Sequence, residues 1–255
     1  KEIMDNKAQA GLVLTAEYSD LWKEDKKTET NEVMFALQHS AKHKIASNYG
    51  KSYYPSDYSP NAGWADYYGN EDFFKAYPND DRKEWNYMTE WKIKSGEIIP
   101  YTESADKLPA ISKYYDYDEG APGKSAQSNG ITCIYRYAEV LLMYAEASTR
   151  ATNSVNQDAL NAIQEVQKRA GYQDRQIELT TTTEPTAFLT AVSNERGWEF
   201  FAEMKRWFEL VRLEKVKEVR AEEWDASTFN TNHHYYFPVP YQQVDLAGWT
   251  NNAGY

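Results

Sequence analysis

One stripe of residues at helical spacing changes from apolar to charged along its length. The stripe consists of Phe188, Val192, Glu195, Glu199, Ala202 and Arg206. Two carboxylates placed close together can serve as general acid and general base, as they do in glycoside hydrolases. The alternative is structural, because carboxylates that face a protein core need cationic partners.

The structural interpretation of these carboxylates is favoured. An unpaired charge in a protein core is costly, and arginines are plentiful around the stripe. We therefore predict a buried ion-pair network and no catalytic residue. The predicted members of the network are Glu195, Arg196, Glu199, Glu203, Arg206 and Arg212.

Aromatic residues are concentrated between positions 49 and 92, where they occupy 13 of 44 positions. Flat rings pack against the C–H faces of sugars, and Tyr and Trp add a hydrogen-bonding end. Packing of an irregular loop onto helices is the alternative explanation for each ring. We predict a ligand-binding set in which six rings stack and Asn61 and Asp66 bind hydroxyls. The six rings are Tyr53, Tyr54, Tyr58, Trp64, Tyr67 and Tyr68.

Histidines and acidic turns could bind metals. His39 and His43 are four residues apart, and two further histidines lie at 233–234. No HExxH pattern accompanies them, so structural histidines are favoured. Acidic residues at 79–82 and 116–119 offer oxygen ligands, but neither stretch matches an EF-hand, and turn-capping aspartates are favoured. We predict no cofactor and no metal ligand, with a structural calcium ion as the alternative.

The charge balance excludes several classes of partner. The chain has 28 Lys and Arg against 39 Asp and Glu, a formal net charge of −11. A nucleic-acid-binding protein needs a basic face, so we expect no nucleic-acid partner. The mean hydropathy is −0.81, and no apolar run is long enough to span a bilayer. A single cysteine, Cys133, excludes an internal disulfide.

The elements that must position these residues fall into three regions. A helix is predicted over residues 1–22, with Gly11 as its weak point, and the alternation within 32–38 predicts a short strand. Prolines and glycines break up the long aromatic-rich loop region, about 45–130. A helical block, about 131–223, and a tail, 224–255, follow.

The helical block contains a helix pair followed by a third helix. The first helix takes its apolar face from Ile134 onward, and a capping box of Ser154 and Gln157 begins the second. Gly171 stands where the residue after a helix belongs. Such a pair is the unit of tetratricopeptide-type repeats, which need several units for stability.

The third helix is predicted to start near Pro185 and to end near Arg212, with helix continuing to about residue 223. Residues 236–240 read as a short extended segment because two prolines restrict it. The remaining residues to Tyr255 read as loop.

Seven segments resemble motifs of the SusD/RagB family, and they occur in that family's order. Residues 136–147 read RYAEVLLMYAEA and resemble the RxAEVxLxxAEA helix, and residues 31–35 read NEVMF and resemble the NEVIF strand. The segments are 31–35, 79–82, 135–147, 159–171, 195–212, 236–240 and 250–255. The resemblance therefore covers the chain from about residue 31 to its last residue.

The resemblance implies a mainly α, SusD-like fold of tetratricopeptide-repeat-type helix pairs with long irregular loops and a few short strands. It implies that residues 1–255 are the C-terminal region of a longer protein, whose N-terminal half is a partner missing here and carries a lipid anchor. The location implied is the extracellular face of the outer membrane.

The function implied is non-catalytic capture of glycans for a SusC-like TonB-dependent transporter. Binding of oligopeptides by a member of the same family, or a glycan-degrading enzyme, is the alternative. The family's ligand contacts lie in variable loops, so the predicted binding residues rest on the aromatic cluster alone.

Overall fold

The computed structural model of the chain describes residues 1–59, 62–114, 128–219 and 235–255. Two compact units divide the chain, Lys1–Glu203 and Met204–Tyr255. The fold is mainly α, as the sequence predicts, with short strands. Among the described residues, no helix combines the length and the apolar character needed to cross a bilayer.

Short and long helices alternate with loops in the first unit. Its described α-helices are α1 (Glu2–Asp5), α2 (Lys7–Ala10), α3 (Tyr49–Tyr53), α4 (Glu71–Ala76), α5 (Asp81–Asn86), α6 (Tyr137–Thr152), α7 (Gln157–Arg169) and α8 (Pro185–Glu199). Two 3-10 turns lie at Tyr18–Leu21 and Tyr101–Glu103. As predicted, the described part of the aromatic-rich region has no long helix.

The described strands form three antiparallel pairs. They are β1 (Val33–Gln38), β2 (Tyr87–Met88), β3 (Glu90–Lys92), β4 (Ile98–Pro100), β5 (Ala110–Ile111) and β6 (Ile131–Arg136). Strand β1 pairs with β6, β2 with β5, and β3 with β4. The predicted strand within 32–38 is confirmed as β1. The first helix of the block begins later than predicted, because Ile131–Arg136 pairs with β1 as a strand.

The main core lies among α6, α7 and α8. Leu141, Ile163 and Phe188 have no exposed surface in this core. Asn156, not Ser154, caps α7, because its side chain accepts a hydrogen bond from the Ala159 N–H. The predicted capping box is therefore wrong at this helix, since the helix begins two residues after the start that the box requires.

Two predicted helices are interrupted by backbone conformation. The predicted helix over 1–22 is wrong beyond residue 10, because its weak point Gly11, at φ 67°, ends α2 and residues 12–15 have no regular secondary structure. Helix α8 ends at Glu199, although the sequence predicts helix to Arg212. Ala202 and Met204 both have positive φ, 57° and 61°, and this left-handed backbone breaks the helix.

The second unit contains α9 (Arg206–Arg212), α10 (Val216–Val219) and α11 (Tyr241–Ala247). The sequence predicts that helix continues to about residue 223. Helix α10 agrees with this up to residue 219, and the residues at 220–223 lie outside the described part of the chain. The predicted loop tail is wrong in part, because α11 forms after Pro240 and ends at Gly248, which has a φ of 65°. Leu210, Val216 and Tyr235 form the small core of the second unit.

Candidate functional site

Two segments of the aromatic region are joined by main-chain hydrogen bonds, which fix where its exposed rings stand. The Gly63 N–H donates to the Pro55 carbonyl at 2.8 Å, and the Trp64 N–H donates to the Lys51 carbonyl at 2.6 Å. The Asp66 N–H donates to the Ser52 carbonyl at 2.9 Å. Residues 63–67 are therefore held against helix α3 and the residues after it.

We call the exposed residues of this segment, Trp64, Asp66 and Tyr67, the aromatic platform. The Trp64 side chain is 51% exposed and Tyr67 is 62% exposed. The Lys51 ammonium lies 5.0 Å from the centre of the Trp64 ring. Two exposed rings and one exposed carboxylate thus lie within four consecutive residues, with an ammonium near one of the rings. These groups suit a ligand with apolar faces and hydroxyl groups.

Buried rings support the platform from below. Tyr67 meets the Tyr53 ring edge-on at 5.9 Å, and Tyr53 stacks on Tyr114 at 5.9 Å. Tyr114 meets Trp22 edge-on at 5.6 Å. Because these rings pack in the interior of the first unit, Tyr67 is held on a rigid base.

Two of the predicted stacking residues are buried. Tyr54 has no exposed surface and Tyr53 is 9% exposed, so neither presents a face to a ligand. The prediction for these two rings is corrected, because Tyr53 at the end of α3 and Tyr54 directly after it are buried in the interior of the unit. A Cβ added to Gly63 would lie 2.0 Å from the Tyr54 carbonyl oxygen, so only glycine permits this close approach.

The other predicted binding residues have separate environments. The Tyr68 hydroxyl donates to Asp106 at 2.7 Å, and partial burial together with this carboxylate raises the pKa of Tyr68. Tyr58 meets Tyr54 edge-on at 5.1 Å and lines a cleft with Trp85 and other residues. Asn61 lies outside the described residues.

The carboxylates of α8 meet cations from elsewhere in the first unit. Arg82 donates to Glu195 at 2.5 Å, to Glu199 at 2.8 Å and to Asp80 at 2.6 Å. The Gln167 amide donates to Glu195 at 3.2 Å. Burial raises the pKa of Glu195, although Arg82 opposes the shift. Asp80 also caps α5 through the Arg82 and Lys83 N–H groups, which confirms the predicted capping role of this acidic turn.

Arg136 occupies the centre of the same network. It donates to Glu32 at 2.7 Å, to Glu203 at 2.8 Å, and to Glu199. Arg169 bonds to Glu32 at 2.8 Å and to Glu199. Burial alone would raise the pKa of Glu199, but Arg169, Arg136 and Arg82 together lower it far below its usual value.

A buried lysine completes the network. Lys113 donates to Glu203 at 2.7 Å and to the Phe201 carbonyl at 2.7 Å, and its ammonium lies 4.3 Å from the centre of the Trp22 ring. Burial lowers the pKa of Lys113 to about 8, although Glu203 opposes the shift. Burial also acts to raise the pKa of Glu203, but Arg136 and Lys113 lower it below its usual value.

The structure corrects the cations predicted for this network. Arg196 lies 3.7 Å from Glu139, and Arg206 lies 2.9 Å from Glu209 in the second unit. Arg212 stands on α9 of that unit. The partners of Glu195, Glu199 and Glu203 come instead from other segments of the first unit. Because helix α8 ends at Glu199, Arg206 and Arg212 do not continue its face. Sequence reasoning missed these cations: Arg82, Lys113, Arg136 and Arg169.

The predicted metal-binding candidates are not brought together among the described residues, where no cluster of three metal-ligating side chains occurs. His39 directly follows β1 and His43 lies in the next turn, so neither stands on a helix. His39 bonds to the Ile45 carbonyl at 3.1 Å and to the Thr132 hydroxyl at 2.7 Å. The residues at 233–234 and 116–119 lie outside the described residues.

The fold and the site define a mainly helical protein in which packed helix pairs support irregular, ring-bearing loops. The chain belongs to the SusD family, whose family profile matches residues 89–255. The match of the family profile agrees with the family motifs found in the sequence.

Relatives agree with this assignment. SusD-like protein P2 of Formosa agariphila is 25% identical over 277 residues, covering 99% of this chain and 54% of that protein. The chain thus spans about half the length of this relative.

Solved structures share the fold. A SusD superfamily protein from Parabacteroides distasonis has a TM-score of 0.77 at 22% identity, covering 99% of this chain and 56% of that one. Surface glycan-binding protein A from Bacteroides thetaiotaomicron, solved in complex with laminarihexaose, has a TM-score of 0.70 at 22% identity, covering 94% and 56%.

Proposed function

We propose that the protein binds glycans at the aromatic platform and does not cleave them. The observation that carries this proposal is the exposure of Trp64 and Tyr67 on a hydrogen-bonded segment that also contains the exposed Asp66. Rings held in place lose little conformational freedom when a sugar stacks on them, and the carboxylate can accept hydrogen bonds from hydroxyl groups.

The relatives support a role in glycan capture. One protein of this fold is a surface glycan-binding protein that has been solved with laminarihexaose bound. By analogy, we place this chain in a lipid-anchored protein at the extracellular face of the outer membrane. There it would pass glycans to a SusC-like TonB-dependent transporter, together with the N-terminal half that its longer relatives carry.

The state of the carboxylates supports binding without hydrolysis. A glycosidase needs a proton-donating carboxyl group and a second carboxylate at a site that a sugar can reach. Glu195, Glu199 and Glu203 are buried and paired with cations. These three carboxylates stabilise the fold. We assign to the exposed Asp66 the binding of sugar hydroxyl groups.

Calorimetric titration of the intact protein with laminarihexaose, other neutral oligosaccharides and tryptic peptides tests the proposal. We expect saturable glycan binding without release of reducing ends. Trp64→Ala should weaken that binding about tenfold, because it removes one stacking ring. The matched control is Trp249→Ala, since Trp249 is also exposed, at 59%, but stands in the other unit.

Three results would contradict the proposal. Unchanged affinity of Trp64→Ala for a verified glycan would remove the platform from the binding site. Binding of peptides without binding of glycans would assign the protein to oligopeptide capture. Release of reducing ends that disappears on replacement of one carboxylate would make the protein an enzyme.

A further inference from the structure

A second ring-lined concavity lies in the first unit, apart from the three platform residues. Its volume is about 480 Å³, which lies within the ~300–1,000 Å³ of small-molecule sites. We call it the hairpin cleft, because strands β3 and β4 contribute to it. Its lining residues are Tyr58, Ser59, Glu84, Trp85, Tyr87, Met88, Glu90, Trp91, Lys92, Ile98 and Ser112.

The tryptophans of the hairpin cleft are fixed by hydrogen bonds. The Trp85 indole N–H donates to the Lys113 carbonyl at 2.9 Å, and the Trp91 indole N–H donates to Asp57 at 2.8 Å. The Ser112 hydroxyl donates to the Trp85 carbonyl at 2.6 Å. Trp91 is 3% exposed and therefore presents no open ring face, whereas Trp85 is half-buried and can contact a ligand. Because the Trp85 indole is already oriented, little rotamer freedom is lost on binding.

The main chain joins the two walls of the hairpin cleft. The Ser59 N–H donates to the Lys92 carbonyl at 2.8 Å, and Tyr58 forms an isolated bridge with Ile93. Strand β3 pairs with β4, which places Ile98 opposite Lys92. The Ile98 side chain is 63% exposed, so it forms an apolar lip at the edge of the cleft.

The rim carries polar groups of both signs. Glu90 and Lys92 are exposed on β3 and stand two residues apart, so they share one face of the strand. Among the described residues, neither side chain forms a hydrogen bond or an ion pair. Glu84 is different, because Arg175 donates to both of its oxygens, at 2.6 and 2.8 Å. One carboxylate and one ammonium without a protein partner among the described residues therefore line the cleft.

We propose that the hairpin cleft is a second carbohydrate site, which takes a neutral saccharide of one or two sugar units. Rings can stack on the sugar faces, Glu90 can accept hydrogen bonds from hydroxyl groups, and Lys92 can donate to ring or hydroxyl oxygens. A rim that balances one unpaired carboxylate against one ammonium gives no net attraction for polyanions. The size of the cleft restricts it to a short segment, in contrast to the open platform.

The second site goes beyond the proposed function, and it can be tested with the platform disabled. In the intact Trp64→Ala protein, we expect at least one of maltose, cellobiose, laminaribiose and lactose to bind saturably and to change tryptophan fluorescence. Glu90→Ala in that background should weaken this binding about tenfold. Tyr58→Leu should weaken it further.

Matched controls lie on the same hairpin. Lys94→Ala and Glu97→Ala change exposed residues that do not line the cleft, and they should leave the affinity unchanged. Equal melting temperatures for all variants would exclude unfolding as the cause of lost binding. A sulfated disaccharide serves as the anionic probe and should not bind.

The outcomes separate the two sites. If none of the four disaccharides binds to Trp64→Ala while the unaltered protein binds glycans, the hairpin cleft is not a site and the platform alone remains. Affinity that is insensitive to Glu90→Ala and Tyr58→Leu also overturns the second site, as does equal binding of the sulfated probe. Disaccharide binding that survives Trp64→Ala but is lost with Glu90→Ala supports the cleft, whatever the platform does.

Discussion

The Arg82 guanidinium donates to the Glu195 carboxylate at 2.5 Å, and 113 positions of sequence separate the two residues. Neither side chain has any exposed surface. The contact joins the start of α5 to the middle of α8, so it attaches the aromatic region to the helical block. Because water cannot reach either group, the ion pair must compensate for the hydration that both charges lose on burial.

Arg82→Met should be strongly destabilising. The change leaves Asp80, Glu195 and Glu199 without their shared cation, and loss of one partner of a buried ion pair costs ~3–5 kcal/mol. Urea unfolding followed by circular dichroism measures the loss. Arg150→Ala is the control, because the pair of Arg150 with Glu146 is partly exposed and such pairs contribute ~0–1 kcal/mol. Equal losses in the two variants would contradict the buried network.

Glu203→Gln should reduce the dependence of stability on pH in acid. The pKa of Glu203 lies below its unfolded value of about 4.5, because Arg136 and Lys113 outweigh burial. The folded state is therefore favoured by this group above that pH, and the gain disappears as the pH falls toward the folded-state pKa. The variant should lose about 3 kcal/mol at pH 7 and show a shallower decline from pH 5 to pH 3 than the unaltered protein.

The glutamine variant isolates one carboxylate within a coupled network. Burial raises the pKa of Glu195. Protonation of Glu195 therefore favours the folded state, so its contribution to stability increases as the pH falls, opposite to that of Glu203. Glu2→Gln is the control, because Glu2 is exposed on α1. Free energies of unfolding at several pH values give the comparison, and parallel pH profiles for Glu203→Gln and the unaltered protein would refute the prediction.

Gly63→Ala should damage the aromatic platform. The new Cβ would lie 2.0 Å from the Tyr54 carbonyl oxygen, so residues 63–67 must move away from α3. We expect a loss of ~1–3 kcal/mol, typical of overpacking, and weaker glycan binding. Gly11→Ala is the control for stability: its φ of 67° costs ~1 kcal/mol for a non-glycine residue, but its Cβ meets nothing. Calorimetric affinity should fall only for Gly63→Ala.

Asn156→Ala and Ser154→Ala distinguish two possible caps of α7. The Asn156 side chain accepts from the Ala159 N–H at 2.8 Å, so its removal should cost about 1 kcal/mol. Among the residues that the structure describes, the Ser154 hydroxyl bonds to Thr152 alone, in the exposed turn, and its removal should change stability by less than ~0.5 kcal/mol. Melting temperatures decide between them, and a larger effect of Ser154→Ala would restore the capping box.

Local sequence rules predicted the parts of the fold that neighbouring residues decide. Pro185 begins α8, and Gly171, with a φ of 83°, follows the end of α7. The apolar alternation also predicts the position of β1, although the burial of this strand does not alternate and Phe35 and Leu37 are exposed. In each case, the residue type restricts its own backbone or packs against residues one or two turns away.

Long-range pairing was beyond these rules. The spacing of Glu195 and Glu199 showed that the carboxylates need cations, but nothing local indicates Arg82, more than 100 positions earlier. The break after α8 was also missed, because Ala202 and Met204 are residue types that rarely adopt a positive φ. Exposure divided the aromatic cluster in the same way: Tyr54 and Trp64 are equally plausible stacking residues by type, and only the tertiary fold buries the first.

The buried charge network has a consequence for how fast the first unit folds and unfolds. Its pairs span long stretches of chain, 137 positions for Glu32 and Arg169. Contacts between residues that are far apart in sequence form slowly, because the entropy cost of closing the chain must be met before the contacts can stabilise it. Unfolding must expose several charges together, so a large barrier also opposes it. The first unit should therefore persist by slow unfolding, which would also make it resistant to added proteases.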